Sequence, residues 1–130
     1  GQFLFCKVGV KMGKISYDKI NILDCKNQKN KENLDKFLYN KIPFMEKYRD
    51  AELTVDQLFK LYEKLSKKTG LEISYIFNSK NSNGEIFFTS SVLKRNEKRE
   101  LCFTIYASTF DELFKKAIVC IYLYAKKGNE

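Results

Sequence analysis

The chain reads as an α+β protein: an antiparallel sheet packed against helices, with an α-β-β-β-α core over residues 54–127 and an N-terminal β-hairpin and helix before it. Three observations lead there. Capping boxes at Thr54 and Thr109 open two amphipathic helical patterns. Between them lie three runs of period-two alternation, the mark of half-buried strands. The second helix becomes apolar on every side from Ala117 to Ala125, as a helix covered on several faces does. With 130 residues, 44% of them hydrophobic and 15% aromatic, the chain suits one domain with a real core.

Taken in order, Phe3 and Phe5, then Val8, Val10 and Met12, then Ile15, Tyr17, Ile20 and Ile22 alternate loosely, and Gly13 offers a hairpin turn. Lys26–Lys31 is polar and reads as a loop. A helix is expected over Glu32–Lys41, with Leu34, Phe37, Leu38 and Ile42 on one face and Pro43 ending it, since proline lacks the N–H and crowds the preceding turn. Phe44–Asp50 suits a further helical turn.

Thr54 and Gln57 have capping-box spacing, and Val55, Leu58, Leu61, Tyr62 and Leu65 form the apolar stripe of the helix that follows. Lys67 and Lys68 complement its C-terminal dipole, and Gly70 suits the left-handed position after it. Ile73, Tyr75 and Phe77 alternate in a first strand, and Asn83-Gly84 suits a tight hairpin turn. A second strand has Ile86, Phe88 and Val92 on one face, with Phe87 and Thr89 opposite. A charged link, Lys94–Glu100, leads to a third, in which Leu101, Phe103, Ile105 and Ala107 alternate with Cys102, Thr104 and Tyr106. In the last helix Asp111 and Glu112 fit the positive end of the dipole, and the expected core positions are Phe110, Leu113, Phe114, Ala117, Ile118, Ile121 and Ala125.

Residue types limit the chemistry. Histidine is absent, which removes Ser–His and Cys–His dyads and most zinc sites. Cys6, Cys25, Cys102 and Cys120 form no C-x-x-C pair and read as free thiols, two of them in apolar runs. There is no P-loop, G-x-G-x-x-G or nucleophile elbow. The expectation is a protein that is not an enzyme and has no metal or cofactor. No secretory signal or membrane-spanning run is visible, so a cytoplasmic location is expected.

The net charge of +8 suits an anionic partner, although a lysine-rich composition gives the same surplus without one. The surplus is spread: residues 1–52 carry 11 basic and 7 acidic side chains, and residues 53–130 carry 13 and 9. Two features stand out as binding candidates. One is the cationic tip Lys94, Arg95, Lys98 and Arg99, which suits either phosphate contacts or a soluble turn blunting a sheet edge. The other is the pair Tyr122 and Tyr124, which point to different sides of the last helix and would place a partner, or a second copy in a homodimer, on that helix.

The stretches LYEKLSKKTGLEISYIF and GEIFFTSSVLKR resemble the first helix and strands of double-stranded-RNA-binding domains. That resemblance implies an RNA-binding protein gripping phosphates with lysines at the start of the last helix. Here that place holds Asp111 and Glu112, with Lys115 and Lys116 a turn later. YASTFDELFKKAIVCIYLYA resembles the strand, cap and apolar helix that end small phage and prophage α/β/α-sandwich proteins. This second resemblance implies a non-catalytic accessory protein of mobile-element type, docking on and inhibiting a host defence or nucleoprotein complex such as a CRISPR effector.

Overall fold

Helix α3, Phe110–Gly128, is the centre of the molecule. The computed structural model describes residues 28–96 and 98–128, so the expected hairpin over residues 3–24, with Cys6 and Cys25, lies outside the described residues. Three layers of contact account for the all-round apolar sequence of α3. A sheet covers one face, helix α2 (Val55–Thr69) packs along a second, and helix α1 (Gln28–Lys41) closes a third. Ala117, Ile118, Val119, Cys120 and Ile121 are consequently all buried. Each large aliphatic side chain so buried contributes roughly 1.5–3 kcal/mol. Among the described residues no helix is long and apolar enough to cross a membrane.

Helix α1 starts at Gln28, four residues earlier than the pattern suggests, and takes in part of the polar stretch expected as a loop. Leu34, Leu38 and Ile42 lie in the core as expected. Pro43 then opens a 3-10 helix, Pro43–Tyr48, that buries Met45. The capping box of α2 is present in both directions: Gln57 N–H donates to Thr54 Oγ1 at 3.2 Å, and Thr54 N–H donates to Gln57 Oε1 at 2.8 Å. Gly70 ends the helix at φ 75°, a conformation that strains any residue with a Cβ. Val55 departs from the expected stripe and is 40% exposed, because the first turn of α2 projects beyond the core.

The sheet is antiparallel and centred on β3, Ile86–Lys94. Strand β4, Leu101–Ala107, pairs along one side of it. On the other side the expected first strand is split into β1, Leu71–Ile73, and β2, Phe77–Lys80. Ile73 pairs with Val92 and Phe77 with Thr89, and residues 74–76 bridge the gap. The interruption leaves Tyr75 82% exposed, so the alternation of Ile73, Tyr75 and Phe77 does not mark a core face. The turn also differs from a two-residue hairpin. Asn81 Oδ1 accepts from Asn83 N–H and Glu85 N–H, and Gly84 takes φ 81° within this wider loop.

Ser90, Val92, Ile105 and Ala107 face the helices and are buried. Val92 pairs with Phe103 but Leu93 pairs with Leu101, so Cys102 is the extra residue of a β-bulge. The bulge breaks the alternation of β4 and leaves Cys102 buried although it has the opposite parity to Ile105. At the far end of the sheet, beyond the helices, Ile86 and Phe110 are exposed, and Phe110 stacks on Phe88 at 4.4 Å. Phe110 is therefore a rim residue, and Ala125 is half-buried, where both were expected in the core.

A cationic and aromatic groove as the candidate functional site

The C-terminal ends of α2 and α3 and the β3–β4 tip converge on an open groove of about 670 Å³. It is lined by Lys68 and Thr69 from α2, Lys94, Arg95 and Asn96 from the tip, and Tyr122, Tyr124 and Lys126 from α3, with Pro43 and Phe44 on the facing wall. Folding thus joins two features that are about 25 residues apart in sequence and were read separately. Lys94, Arg95, Tyr122 and Tyr124 share one site, while Lys98 and Arg99 are exposed on the turn and do not line it. The lining contains four cations and no carboxylate.

The tip is held rigidly. Arg95 N–H donates to Gly70 O at 2.7 Å, and Arg95 Nη2 donates to Ser66 Oγ at 2.6 Å, tying it to the end of α2. Glu72 lies between two guanidinium groups, 3.5 Å from Arg95 Nε and 3.4 Å from Arg99 Nη1. These distances exceed those of strong charge-assisted bonds, and the groups are partly exposed, so they orient the tip more than they stabilise it. Asn96 Oδ1 accepts from Lys98 N–H and Arg99 N–H, which lets Arg99 adopt φ 48°.

The rings carry cations above them. Lys126 Nζ lies 5.9 Å from the centre of the Tyr122 ring, and Lys94 Nζ lies 6.0 Å from that of Tyr124. The Tyr124 phenolate that forms in alkali, and the carboxylate of Glu100 3.5 Å away, raise the pKa of Lys94. Burial raises the Tyr124 phenol. It also raises the Cys102 thiol, which stays protonated and lacks the thiolate character of a nucleophile. Lys68 and Lys126 enter no ion pair among the described residues. Sequence reading missed both. Their signal was present as lysines at helix C-termini, where dipole complementation is a sufficient explanation.

The start of α3 uses its lysines differently. Lys115 Nζ lies 2.9 Å from Asp35 Oδ1 and joins α3 to α1. Burial lowers the Lys115 pKa, but the hydrogen bond and charge of Asp35 outweigh it and the net shift is upward. Lys116 is 2% exposed; its Nζ donates to Tyr106 O at 2.6 Å and pairs with Glu112 at 3.1 Å. Glu112 N–H donates to Thr109 Oγ1, and Glu112 Oε2 accepts from Ser108 N–H, so Glu112 completes the cap as well. The two lysines nearest to a phosphate-gripping cluster are therefore committed within the fold. Among the described residues no group of three Cys, Asp or Glu side chains is placed to hold a metal ion. Comparison with protein-family models, curated proteins and solved structures gives no match to this chain.

Proposed function

We propose that this is a non-catalytic binding protein of the phage or mobile-element kind, acting in the cytoplasm by docking on, and so inhibiting, a host defence or nucleoprotein complex such as a CRISPR effector. The observation that carries the reading is the groove, where Lys68, Lys94, Arg95 and Lys126 surround Tyr122 and Tyr124 without a carboxylate in the lining. Cations beside half-buried rings suit an anionic macromolecular surface, with the rings as anchors and the cations steering encounter.

A second reading, an RNA-binding protein of double-stranded-RNA-binding-domain topology, is favoured by the order of α2, the strands and α3. Against it stands the internal use of Lys115 and Lys116. Retention of an assembled RNA-guided effector by the immobilised protein, measured beside gel shifts with duplex RNA at two salt concentrations, separates the two. The docking reading expects retention that falls at least tenfold in the Lys68→Glu/Lys126→Glu variant. Salt-sensitive duplex-RNA binding without effector retention would overturn it in favour of the second reading.

A further inference from the structure

The groove is not the only hollow beside α2. A second hollow, of about 430 Å³, lies between α2 and the segment from Tyr48 to Leu53, and Tyr48, Lys60, Lys64 and Lys67 contribute to its lining. Leu61 contributes to this hollow and Leu65 to the groove. The two hollows share no lining residue but follow one another along α2, where Leu61 and Leu65, and Lys64 and Lys68, are i, i+4 neighbours; together they border a furrow with Tyr48 in the lining of one and Phe44 in that of the other. Lys60, Lys64 and Lys68 stand four residues apart on α2, hence about 6 Å apart along its axis and on neighbouring parts of one face. None of the three enters an ion pair among the described residues. Glu63 is the one carboxylate in the lining of either hollow. Lys47 adds a further cation, 5.3 Å from the centre of the Tyr48 ring.

We infer that this furrow binds a single strand of nucleic acid. An evenly stepped row of single cations matches a polymer that carries one negative charge per repeat. Half-buried rings along the same furrow offer faces to bases, and a strand that stacks on protein rings must present bases unpaired. A folded acidic protein satisfies the cations but does not repeat a planar group with every charge, as a nucleic-acid strand does beside Tyr48 and Phe44. The inference rests on the proposed use of the groove as the docking site, and it names the strand of a nucleoprotein complex as what the groove grips.

The test uses the full chain and fluorescence anisotropy with a labelled oligo-dT of about 15 nucleotides, a duplex of the same length, and poly-glutamate. Oligo-dT is expected to bind more tightly than the duplex. Neutralising three phosphate contacts in the Lys60→Gln/Lys64→Gln/Lys68→Gln variant is expected to reduce the slope of log affinity against log salt by about 2. Tyr48→Leu is expected to weaken binding several-fold at an unchanged slope, which separates stacking from charge. An unchanged thermal midpoint in each variant shows that the fold is intact. A slope unaffected by the triple substitution, or a duplex bound as tightly as the strand, overturns the inference. Binding of poly-glutamate but not oligo-dT, or of neither, also overturns it, while groove docking is decided separately by retention of the assembled effector.

Discussion

The two ends of α3 carry the same kinds of residue and put them to opposite uses. At its start, Lys115 and Lys116 are tied to Asp35, Glu112 and the Tyr106 carbonyl. At its end, Lys126 is exposed over Tyr122 and opens onto the groove. A lysine drawn into the packing holds layers together, as Lys115 does through Asp35 and Lys116 through the Tyr106 carbonyl, whereas one beside a half-buried ring keeps its charge available to a partner. Surroundings rather than residue type thus separate framework from site, and a count of basic residues in the last helix does not distinguish them.

The largest expected effect tests the framework end. Lys116→Met strands the Glu112 carboxylate in a buried position, and removing one partner of such a pair costs about 3–5 kcal/mol. Urea unfolding measures it, and adding Glu112→Gln should recover most of the loss. Full stability in Lys116→Met would mean that the pair is not the lock it is taken to be.

A smaller effect, spread over both ends, appears in alkali. Burial raises the pKa values of Tyr39, Tyr62, Tyr106, Tyr124 and Cys102, that of Lys94 is raised by the Tyr124 phenolate and by Glu100, and that of Lys115 by its bond to Asp35. All of these folded-state values lie above the unfolded ones, so above about pH 9 the unfolded chain binds fewer protons than the folded one. The associated stability is present in full below that pH and is lost as the pH rises through the folded values. Thermal midpoints between pH 7 and pH 11 should be flat and then fall; a rise above pH 9 would contradict these environments.

The smallest effect tests the site end. Lys68→Gln and Lys126→Gln should each change stability by less than about 0.5 kcal/mol, as exposed substitutions outside any ion pair do. A loss near that of Lys116→Met would place them in the framework and erase the contrast between the two ends of the helix.

Local chemistry made much of this fold legible. The Thr54 box, the Gly70 stop and the break at Pro43 depend on residues within a few positions of one another, and each appears as read, while the Thr109 box differs in that the Glu112 carboxylate accepts from Ser108 N–H. The errors fall where an element outruns its cover. Val55, Tyr75 and Phe110 fit an apolar period but lie past the edge of the packed layers, and period alone does not report where a neighbouring helix ends. The binding candidates were legible in part: four of the six residues named for them line the groove. Lys68 was hidden behind a sufficient local explanation, and Lys98 and Arg99 do not line the groove, Arg99 reaching Glu72 instead.

What the sequence determined alone is the order of helices and strands from α1 onward, save the split of the first strand into β1 and β2, and the placing of α3 at the centre, because a segment apolar on all sides must be covered on all sides. The tertiary structure decided which charges are spent. It buried Lys116, set Glu72 between two arginines, turned Cys102 inward at a bulge, and brought the end of α2 to the end of α3. Those outcomes rest on contacts between residues distant in the chain, and on desolvation, which is a property of the packed molecule and of no segment by itself.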